Sequence, residues 1–311
     1  SYASAVTAAS GGLGIIIPPS IPLVIFGIAA LGLSAPPEAV AKYGNFDTLS
    51  ITKLFVAGVI PGFIMASTLV LTNYIISKRK GYRGLSNQWA ISSVGYAFRR
   101  GFWSILAPFL ILGGIYSGMF TPTESAVVAI FYSLFVGFFI HRQLSMNRVL
   151  DSLLTTTRIS GRVLLILFAA SVFGRLLIEQ RIPVSVADSL LGLTDNMYLV
   201  WSMMIILLLF VGMFMETLAA IMIIVPVLLP IMYMLGADPT HVGIVVVCAL
   251  SIGFATPPLG ENIFVASGVG GATVEQITAK IHPFVITSVL GVFLIAFFPD
   301  LSLWLPRLVG F

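Results

Sequence analysis

Apolar residues run along the chain in long stretches that short polar segments separate. Seven stretches are long enough to cross a bilayer of about 30 Å; they are 54–77, 102–117, 125–140, 163–178, 198–215, 218–235 and 281–298. The strict alternation of apolar and polar residues that is typical of a membrane β-barrel is not the pattern here. The sequence therefore predicts an all-α, polytopic membrane protein.

Two further apolar segments are interrupted in the same way. The run SGGLGIIIPPSIP at 10–22 and the run SIGFATPPLGE at 251–261 each hold a glycine and, four residues later, a pair of prolines. Proline lacks an N–H and clashes with the carbonyl four residues back, so a pair of prolines breaks a helix. In a membrane, the freed carbonyls are tolerated where they line a polar cavity or bind a cation.

The two breaks belong to an internal repeat. When Gly14 is aligned with Gly253, each proline pair falls on the other, and 21–32 falls on 260–271. After a loop that is longer in the first copy, Pro61 can be matched with Pro283. A structural kink is the alternative explanation for either break alone. Two breaks in register, each followed by a short helix, favour a secondary transporter with broken helices.

Composition and charge strengthen the membrane assignment. The chain is 58% hydrophobic and 9% charged, with a mean hydropathy of +1.06, whereas a soluble domain has about 25% charged residues. Basic residues cluster in 78–100 and 141–162, and we expect both segments on the cytoplasmic side. The polar mixture at 86–101 predicts a helix lying in the interface, and 147–162 has a similar balance. The net charge of +4 does not indicate nucleic-acid binding.

Intramembrane carboxylates are the candidate chemistry. Glu216 stands among apolar residues, where a charge is a functional candidate, although it can also cap a helix that begins at Thr217. We expect Glu261 to begin the short helix after the second break, and Glu124 to be mainly structural. The three histidines are scattered and are not predicted as metal ligands. The sequence has no nucleotide-binding P-loop motif, so transport must draw on an ion gradient or a partner.

Several separate stretches together resemble the large membrane (M) subunit of tripartite ATP-independent periplasmic (TRAP) transporters. They are LGIIIPPSIPLVIFG (13–27), VAGVIPG (56–62), GGIYSGMFTPTESAVVAIFYSLFVG (113–137), VGMFMETLAAIMIIVPVLLPI (211–231), GADPTHVGIVVV (236–247), IGFATPPLGENIFVASG (252–268) and LSLWLPRL (301–308). The resemblance implies an inverted-repeat, elevator-type carrier of the bacterial inner membrane that is not an enzyme. It also implies Na⁺ as the coupling ion, no organic cofactor, a small four-helix (Q-type) membrane subunit, a periplasmic binding protein and a carboxylate substrate of the sialic acid or C4-dicarboxylate class.

The resemblance also assigns site residues. The second sodium site would combine two groups of residues, Gly212, Glu216 and Thr217 with Gly253, Ala255, Thr256, Pro257 and Gly260. The first site would use Ser10, Gly11, Gly14, Ile17 and Pro18 with a hairpin expected before Ser1, so the chain resembles a C-terminal piece of a longer subunit. Helix N-termini near both breaks can bind a carboxylate, which makes the candidate substrate residues Ser20, Pro19, Pro258, Glu261 and Asn262.

Two departures from the family pattern, one similarity to a branch of the family and two alternatives accompany this assignment. The family often has Asp-Pro at Glu216-Thr217 and an apolar residue at Glu261, and the triplet at 260–262 is similar to that of the sialic-acid branch. An antiporter or channel that needs no binding protein would share the broken helices. A membrane-embedded enzyme would need a nucleophile and a base at matched depth, and the sequence indicates no such pair.

The predicted organisation follows the repeat. Residues 1–33 and 198–271 form the two copies of the transport domain, and 118–140 adds a helix of the second copy. The remaining ranges supply the scaffold, the arm helices and the C-terminal helix; they are 34–117, 141–197 and 272–311.

Overall fold

The computed structural model describes residues 1–82, 91–180, 196–310 and the single positions 182, 185, 186, 189, 192 and 194, and the regular secondary structure in these residues is helical. The helices of this part of the chain are α1 (Tyr2–Gly11), α2 (Leu13–Ile16), α3 (Ile21–Ala30), α4 (Pro37–Tyr43), α5 (Ile51–Lys80), α6 (Ile91–Tyr116), α7 (Pro122–Phe135), α8 (Met146–Glu179), α9 (Met197–Phe214), α10 (Thr217–Met234), α11 (Pro239–Gly253), α12 (Glu261–Gly270), α13 (Val274–Phe297) and α14 (Asp300–Val309). A π-helical turn, Val136–Ile140, follows α7.

The predicted membrane spans are confirmed. Within the described ranges, seven helices are long and apolar enough to cross a membrane, and each contains most of one predicted stretch. Helices α1 and α2, joined to α3 with a bend of 46°, pass the same test together, as a broken span or a re-entrant loop. Helix α11 is apolar but too short to pass the same test. The all-helical, polytopic fold class is therefore the observed one.

Two predictions of helix boundaries were wrong. The first concerns Pro226 and Pro230, because prolines inside an apolar run predict interruptions of the span after Glu216. In the structure, α10 continues through both. Single prolines four residues apart each remove one backbone hydrogen bond, and packing of the helix on its neighbours offsets that loss. The segment 86–101 was expected as a separate interfacial helix. Its residues 91–101 instead begin the long helix α6, and 86–90 lie outside the described residues.

The chain forms two compact units. The first unit contains Ser1–Arg79 and Ile166–Phe311 and so holds both helix breaks. The second contains Lys80–Leu165, where Thr121 and Glu124 form a reciprocal capping box at the start of α7. Glu124 is thus structural, as predicted. Within the same unit the Tyr132 hydroxyl donates a hydrogen bond of 2.6 Å to the Trp103 carbonyl.

Helix α11 is the centre of the first unit. All of its residues from Pro239 to Gly253 are buried. His241 lies near its start and contacts the Ser302 hydroxyl (3.1 Å) and the Ala296 carbonyl (3.2 Å) through its two ring nitrogens. The carbonyl can only accept, so a neutral His241 carries its proton on Nε2. This histidine joins α11 to the C-terminal helices and is not part of a metal site.

Candidate ion and substrate site at the two helix breaks

Each break separates a first helix from a short second helix. At the first break, α2 ends at Ile16 and α3 begins at Ile21. The Ser20 hydroxyl caps α3 by accepting from the Leu23 amide, and it donates to the Ile15 carbonyl. At the second break, the Gly260 amide donates to the Thr256 carbonyl and the Asn262 amide donates to the Phe254 carbonyl, both at 3.1 Å. The Pro-Pro peptide bond in each break is cis.

The two breaks touch each other in the core of the first unit. The buried Ser251 hydroxyl donates a hydrogen bond of 2.7 Å to the Gly12 carbonyl. A Cβ atom added at Gly12 would lie only 2.5 Å from Ser251 Oγ. Positions 12 and 251 correspond to each other under the alignment that pairs Gly14 with Gly253. A two-fold repeat brings equivalent positions together only near its axis, so this contact marks where the axis of the predicted repeat would pass.

The short helices pack crosswise, each against the first helix of the other copy. A Cβ atom at Gly243 in α11 would lie 2.5 Å from the ring of Phe26 in α3. A Cβ atom at Gly270 in α12 would lie 2.3 Å from the Ser4 hydroxyl in α1. Under the repeat alignment, Gly243 corresponds to Ser4, so the two contacts use the same position of the first helix, whereas Phe26 corresponds to Val265 and not to Gly270. This interlocked arrangement agrees with the internal repeat that the sequence predicts.

A cleft of about 130 Å³ lies beside the second break, and three of the candidate residues line it. The three candidates are Gly212, Glu216 and Glu261. The rest of the lining consists of Phe254, Leu259 and residues 213–215. The ends of α9 and α11 meet at one wall, where a Cβ atom on Gly253 would lie 2.7 Å from the Gly212 backbone. The structure thus brings the residues before Thr217 against the second break.

Glu216 caps α10, as one of the two readings of the sequence expected. Its Oε2 atom accepts hydrogen bonds from the amides of Leu218 (3.0 Å) and Ala219 (3.2 Å). The side chain is exposed, so its second oxygen remains accessible to the cleft. The capping role and a role in cation binding are compatible, because a carboxylate has about four lone-pair positions.

The other residues predicted for the second sodium site surround this wall. The Thr217 hydroxyl is buried and has no hydrogen-bond partner, whereas the Thr256 hydroxyl donates to the Ile252 carbonyl at 2.7 Å. Ala255 is buried and Pro257 is half-buried. Gly260 is enclosed by backbone, because a Cβ atom there would lie 2.7 Å from the Phe254 carbonyl oxygen. Hydroxyl, carbonyl and carboxylate oxygens are the ligands that hard cations prefer.

The residues predicted for the first sodium site are more open. Ser10 is exposed, and its hydroxyl donates to the Thr7 carbonyl at 3.2 Å. A Cβ atom on Gly14 would meet nothing within 4 Å, and Ile17 is 46% exposed. Pro18 is buried near Gly58 of α5, and Gly11 faces the Asn262 side chain. These residues do not by themselves enclose a cation.

The five candidate substrate residues lie at the two breaks and at the starts of the short helices that follow them. Ser20 is buried, and capping α3 already occupies its hydroxyl. Pro19, Pro258 and Glu261 are exposed. The side-chain amide nitrogen of Asn262 is buried without a partner beside Gly11, which makes it the candidate with a free donor.

Sequence reasoning missed Gly12 and Ser251, although a signal for them was available. The offset that aligns the two proline pairs also aligns these two positions. In an inverted repeat, the residues near the axis contact their own equivalents.

In the described part of the chain, no three His, Cys, Asp or Glu side chains are placed to hold a metal ion together.

An ion pair at the start of α5 accounts for the shifted pKa of a carboxyl group in the preceding loop. Asp47, in the loop before α5, accepts a hydrogen bond of 2.8 Å from the Lys53 ammonium. This bond and the positive charge of Lys53 lower the pKa of the Asp47 carboxyl below its ordinary value of 3.8. The Lys53 side chain is only 5% exposed, so Asp47 is the partner that neutralises a buried cation.

Comparison with known proteins identifies the family. Residues 1–301 match the family model described as "Tripartite ATP-independent periplasmic transporter, DctM component". The chain belongs to this family. It is therefore a multi-pass integral membrane protein, located in bacteria in the inner membrane. This confirms the resemblance on which the site residues were assigned, whereas the assignments themselves stay predictions.

Three relatives show how far the similarity extends. The chain is 38% identical to the isethionate TRAP transporter permease protein DctMQ of Oleidesulfovibrio alaskensis, over 94% of the chain and 44% of that protein. It is 34% identical to the sialic acid large permease protein SiaM of Vibrio cholerae, over 99% and 68%. It is 33% identical to the C4-dicarboxylate large permease protein DctM of Rhodobacter capsulatus, over 99% and 69%. These relatives are transport permeases, not enzymes.

The chain spans only part of these relatives. It covers less than half of the isethionate permease and of the sialic acid permease SiaT of Haemophilus influenzae, and about two thirds of the other two. The activity, substrate and partners of a whole TRAP permease are therefore considered below as proposals.

Proposed function

We propose that this chain is the part of a large TRAP permease subunit that binds the coupling sodium ion during import of a small organic anion. The observation that carries the proposal is the cleft beside the second break. There an accessible carboxylate, Glu216, faces the broken end of α11 inside a membrane protein of the TRAP family. Intramembrane carboxylates at interrupted helices are typical of ion-coupled carriers.

The substrate class is a small organic anion. The relatives are named for sialic acid and C4-dicarboxylates, which are carboxylates, and for isethionate, which is a sulfonate. The N-termini of α3 and α12 supply the partial positive charge that both kinds of anion need. The unpartnered amide of Asn262, in the first turn of α12, adds a side-chain donor there.

Electrostatic repulsion gives a reason why anion binding would be coupled to sodium binding. Glu216 and Glu261 line the same cleft, so two negative charges stand next to the helix N-terminus that an anion would approach. A sodium ion in the cleft offsets this repulsion. It also gives a partner to the backbone carbonyl oxygens that the helix break leaves without a hydrogen bond. Sodium binding would therefore precede or accompany binding of the anion. We propose that the loaded unit then moves as an elevator against a scaffold.

The proposed partners follow the family. A small Q-type membrane subunit would complete the scaffold. One relative is named DctMQ, which joins the letters of both subunits in one protein. A periplasmic binding protein would deliver the anion.

Uptake into sealed proteoliposomes tests the proposal. The full-length permease with its small subunit is reconstituted, and radioactive sialic acid, succinate and isethionate serve as probes. The sodium gradient and the binding protein are varied independently. Uptake of at least one probe that requires both supports the proposal. Uptake that requires sodium alone would exclude the tripartite assignment, and uptake without sodium would exclude the sodium-binding role.

A matched pair of variants links the result to the cleft. Glu216→Gln removes the cleft charge, and we expect it to raise the sodium concentration for half-maximal uptake. Glu124→Gln alters another helix-capping carboxylate, in the second unit, and is expected to leave the sodium dependence unchanged. Equal sodium dependence in both variants would contradict the role of Glu216.

A further inference from the structure

The contact on the symmetry axis joins the two breaks directly. Ser251 and Gly12 are equivalent residues of the two copies, and the Ser251 hydroxyl donates to the Gly12 carbonyl at 2.7 Å. Both residues are buried. Ser251 precedes Gly253 and the second proline pair, and Gly12 precedes Gly14 and the first. The hydrogen bond therefore connects the ends of the two interrupted helices just before each chain leaves helical geometry.

The surrounding packing makes the two breaks move together. Each short helix is seated on the first helix of the other copy, through Phe26 against Gly243 and through Gly270 against Ser4. The backbone at Gly12 packs so closely against Ser251 that a Cβ atom added at Gly12 would find no free space. If a cation near Gly253 shifts the end of α11, the shift must therefore act on Gly12. The Ser251 hydroxyl is the polar link in this otherwise apolar contact.

We propose that Ser251 is a positioning residue that couples the two breaks, so that a sodium ion bound at one break raises the affinity for a sodium ion at the other. This inference rests on the proposed sodium-binding function. Coupling between sites is a free energy shared by both of them. A difference of about 1 kcal/mol in the strength of this hydrogen bond between the ion-free and the ion-bound protein corresponds to about a fivefold change in the affinity of the second site.

Removal of the hydroxyl leaves room for a folded variant. A cavity of about 20 Å³ lies beside the contact; its lining is mostly apolar and includes Gly12, Ser251 and Ser288. This volume suffices for one water molecule. In Ser251→Ala, a water molecule can satisfy the Gly12 carbonyl, but it does not tie one break to the other. Ser288→Ala is the matched control, because it removes another buried hydroxyl of the same cavity that does not join the breaks.

The repeat supplies a rescue experiment. Gly12→Ser alone is expected to clash, since its Cβ atom would lie 2.5 Å from Ser251 Oγ. Ser251→Gly alone removes the donor. In the double variant Gly12→Ser/Ser251→Gly the hydroxyl is moved to the other copy. Its Cβ atom then lies 3.0 Å from the carbonyl oxygen of residue 251, so a small shift of the backbone allows the hydrogen bond to form in the opposite direction.

Binding of radioactive sodium to the purified full-length permease with its small subunit tests the proposal without a substrate. For two sites of equal intrinsic affinity that are coupled about fivefold, the Hill coefficient is about 1.4 in the unaltered protein. A difference in intrinsic affinity lowers the coefficient in every variant, so the change between variants is the readout. We expect about 1.0 in Ser251→Ala, about 1.4 in Ser288→Ala, and a return above 1.0 in the exchanged double variant. A merely structural role would change the amount of folded protein but not the Hill coefficient.

Failure of the proposed function and failure of the coupling give different results. No sodium binding by the unaltered protein would overturn the proposed function and the coupling together. Sodium binding with the same Hill coefficient in Ser251→Ala would overturn the coupling alone. If Ser251→Ala cannot be purified, the exchanged double variant decides, and a folded but non-cooperative double variant would overturn the inference.

Discussion

The close approach of α9 and α11 predicts that Gly212 tolerates no side chain. A Cβ atom added at Gly212 would lie 2.9 Å from the Leu250 carbonyl oxygen and 3.1 Å from the Gly253 Cα atom. Both neighbours are backbone atoms, so no side-chain rotation relieves the contact. Gly14, at the position equivalent to Gly253, is the matched control, because its Cβ atom would meet nothing within 4 Å.

The free energies of the two variants have opposite signs. Overpacking against fixed neighbours costs roughly 1–3 kcal/mol, and the rigid backbone here favours the upper part of that range. Replacing a helical glycine with alanine returns about 1 kcal/mol of helix propensity. Gly212→Ala is therefore expected to lose about 1–2 kcal/mol in total. Gly14→Ala is expected to gain up to about 1 kcal/mol.

Unfolding can be followed at Cys248, which is fully buried in α11 two residues before Leu250. The purified variants are heated with a thiol reagent, and the labelled Cys248 peptide is quantified by mass spectrometry. We expect Gly212→Ala to expose Cys248 at a lower temperature than the unaltered protein, and Gly14→Ala at the same or a higher temperature. If Cys248 becomes exposed at the same temperature in both variants, or at a lower temperature in Gly14→Ala, the close approach of α9 and α11 at Gly212 is refuted.

Three further predictions concern single side chains. Thr256→Ala is expected to raise the sodium concentration for half-maximal uptake, and unchanged uptake kinetics would remove Thr256 from the site. Glu216→Ala is expected to lower the melting temperature, because loss of a helix cap costs about 1 kcal/mol. Asp47→Asn is expected to destabilise the protein at neutral pH, since it leaves the buried Lys53 unpaired. The difference should shrink as the pH falls below 3.8, because protonation of Asp47 removes the same charge. Asp300→Asn, in an exposed pair with Arg307, is the control with little effect in thermal melts.

The sequence predicted those features that local chemistry determines. The two proline pairs ended helices where expected, because the residue before a proline is pushed out of the helical region and two adjacent prolines add to that effect. Glu216 and Thr217 marked the start of α10 through the preference of helix N-termini for an acceptor. The spans followed from length and apolar composition alone.

Features that depend on tertiary packing could not be predicted with the same success. The sequence suggested that Pro226 would interrupt α10, but burial of the helix against its neighbours keeps it continuous. The hydrogen bond from Ser251 to Gly12 spans 239 positions, and it depends on how two copies of one motif cross. Once the repeat is recognised, however, equivalence of the two positions is sufficient to bring them to the axis.

The two copies are equivalent at the axis but not at their flanks, and this difference bears on how the first sodium site would work. Gly253 is enclosed by the backbone of α9, whereas its equivalent Gly14 faces open space. A cation at the second break can be held by the Glu216 carboxylate and enclosed oxygen atoms. A cation near Gly14 would keep much of its water, because carbonyls on an open face compete poorly with hydration. Selectivity at the first break therefore requires ligands other than the five predicted there, and the contact at Ser251 is the route by which the better enclosed second break can order the first.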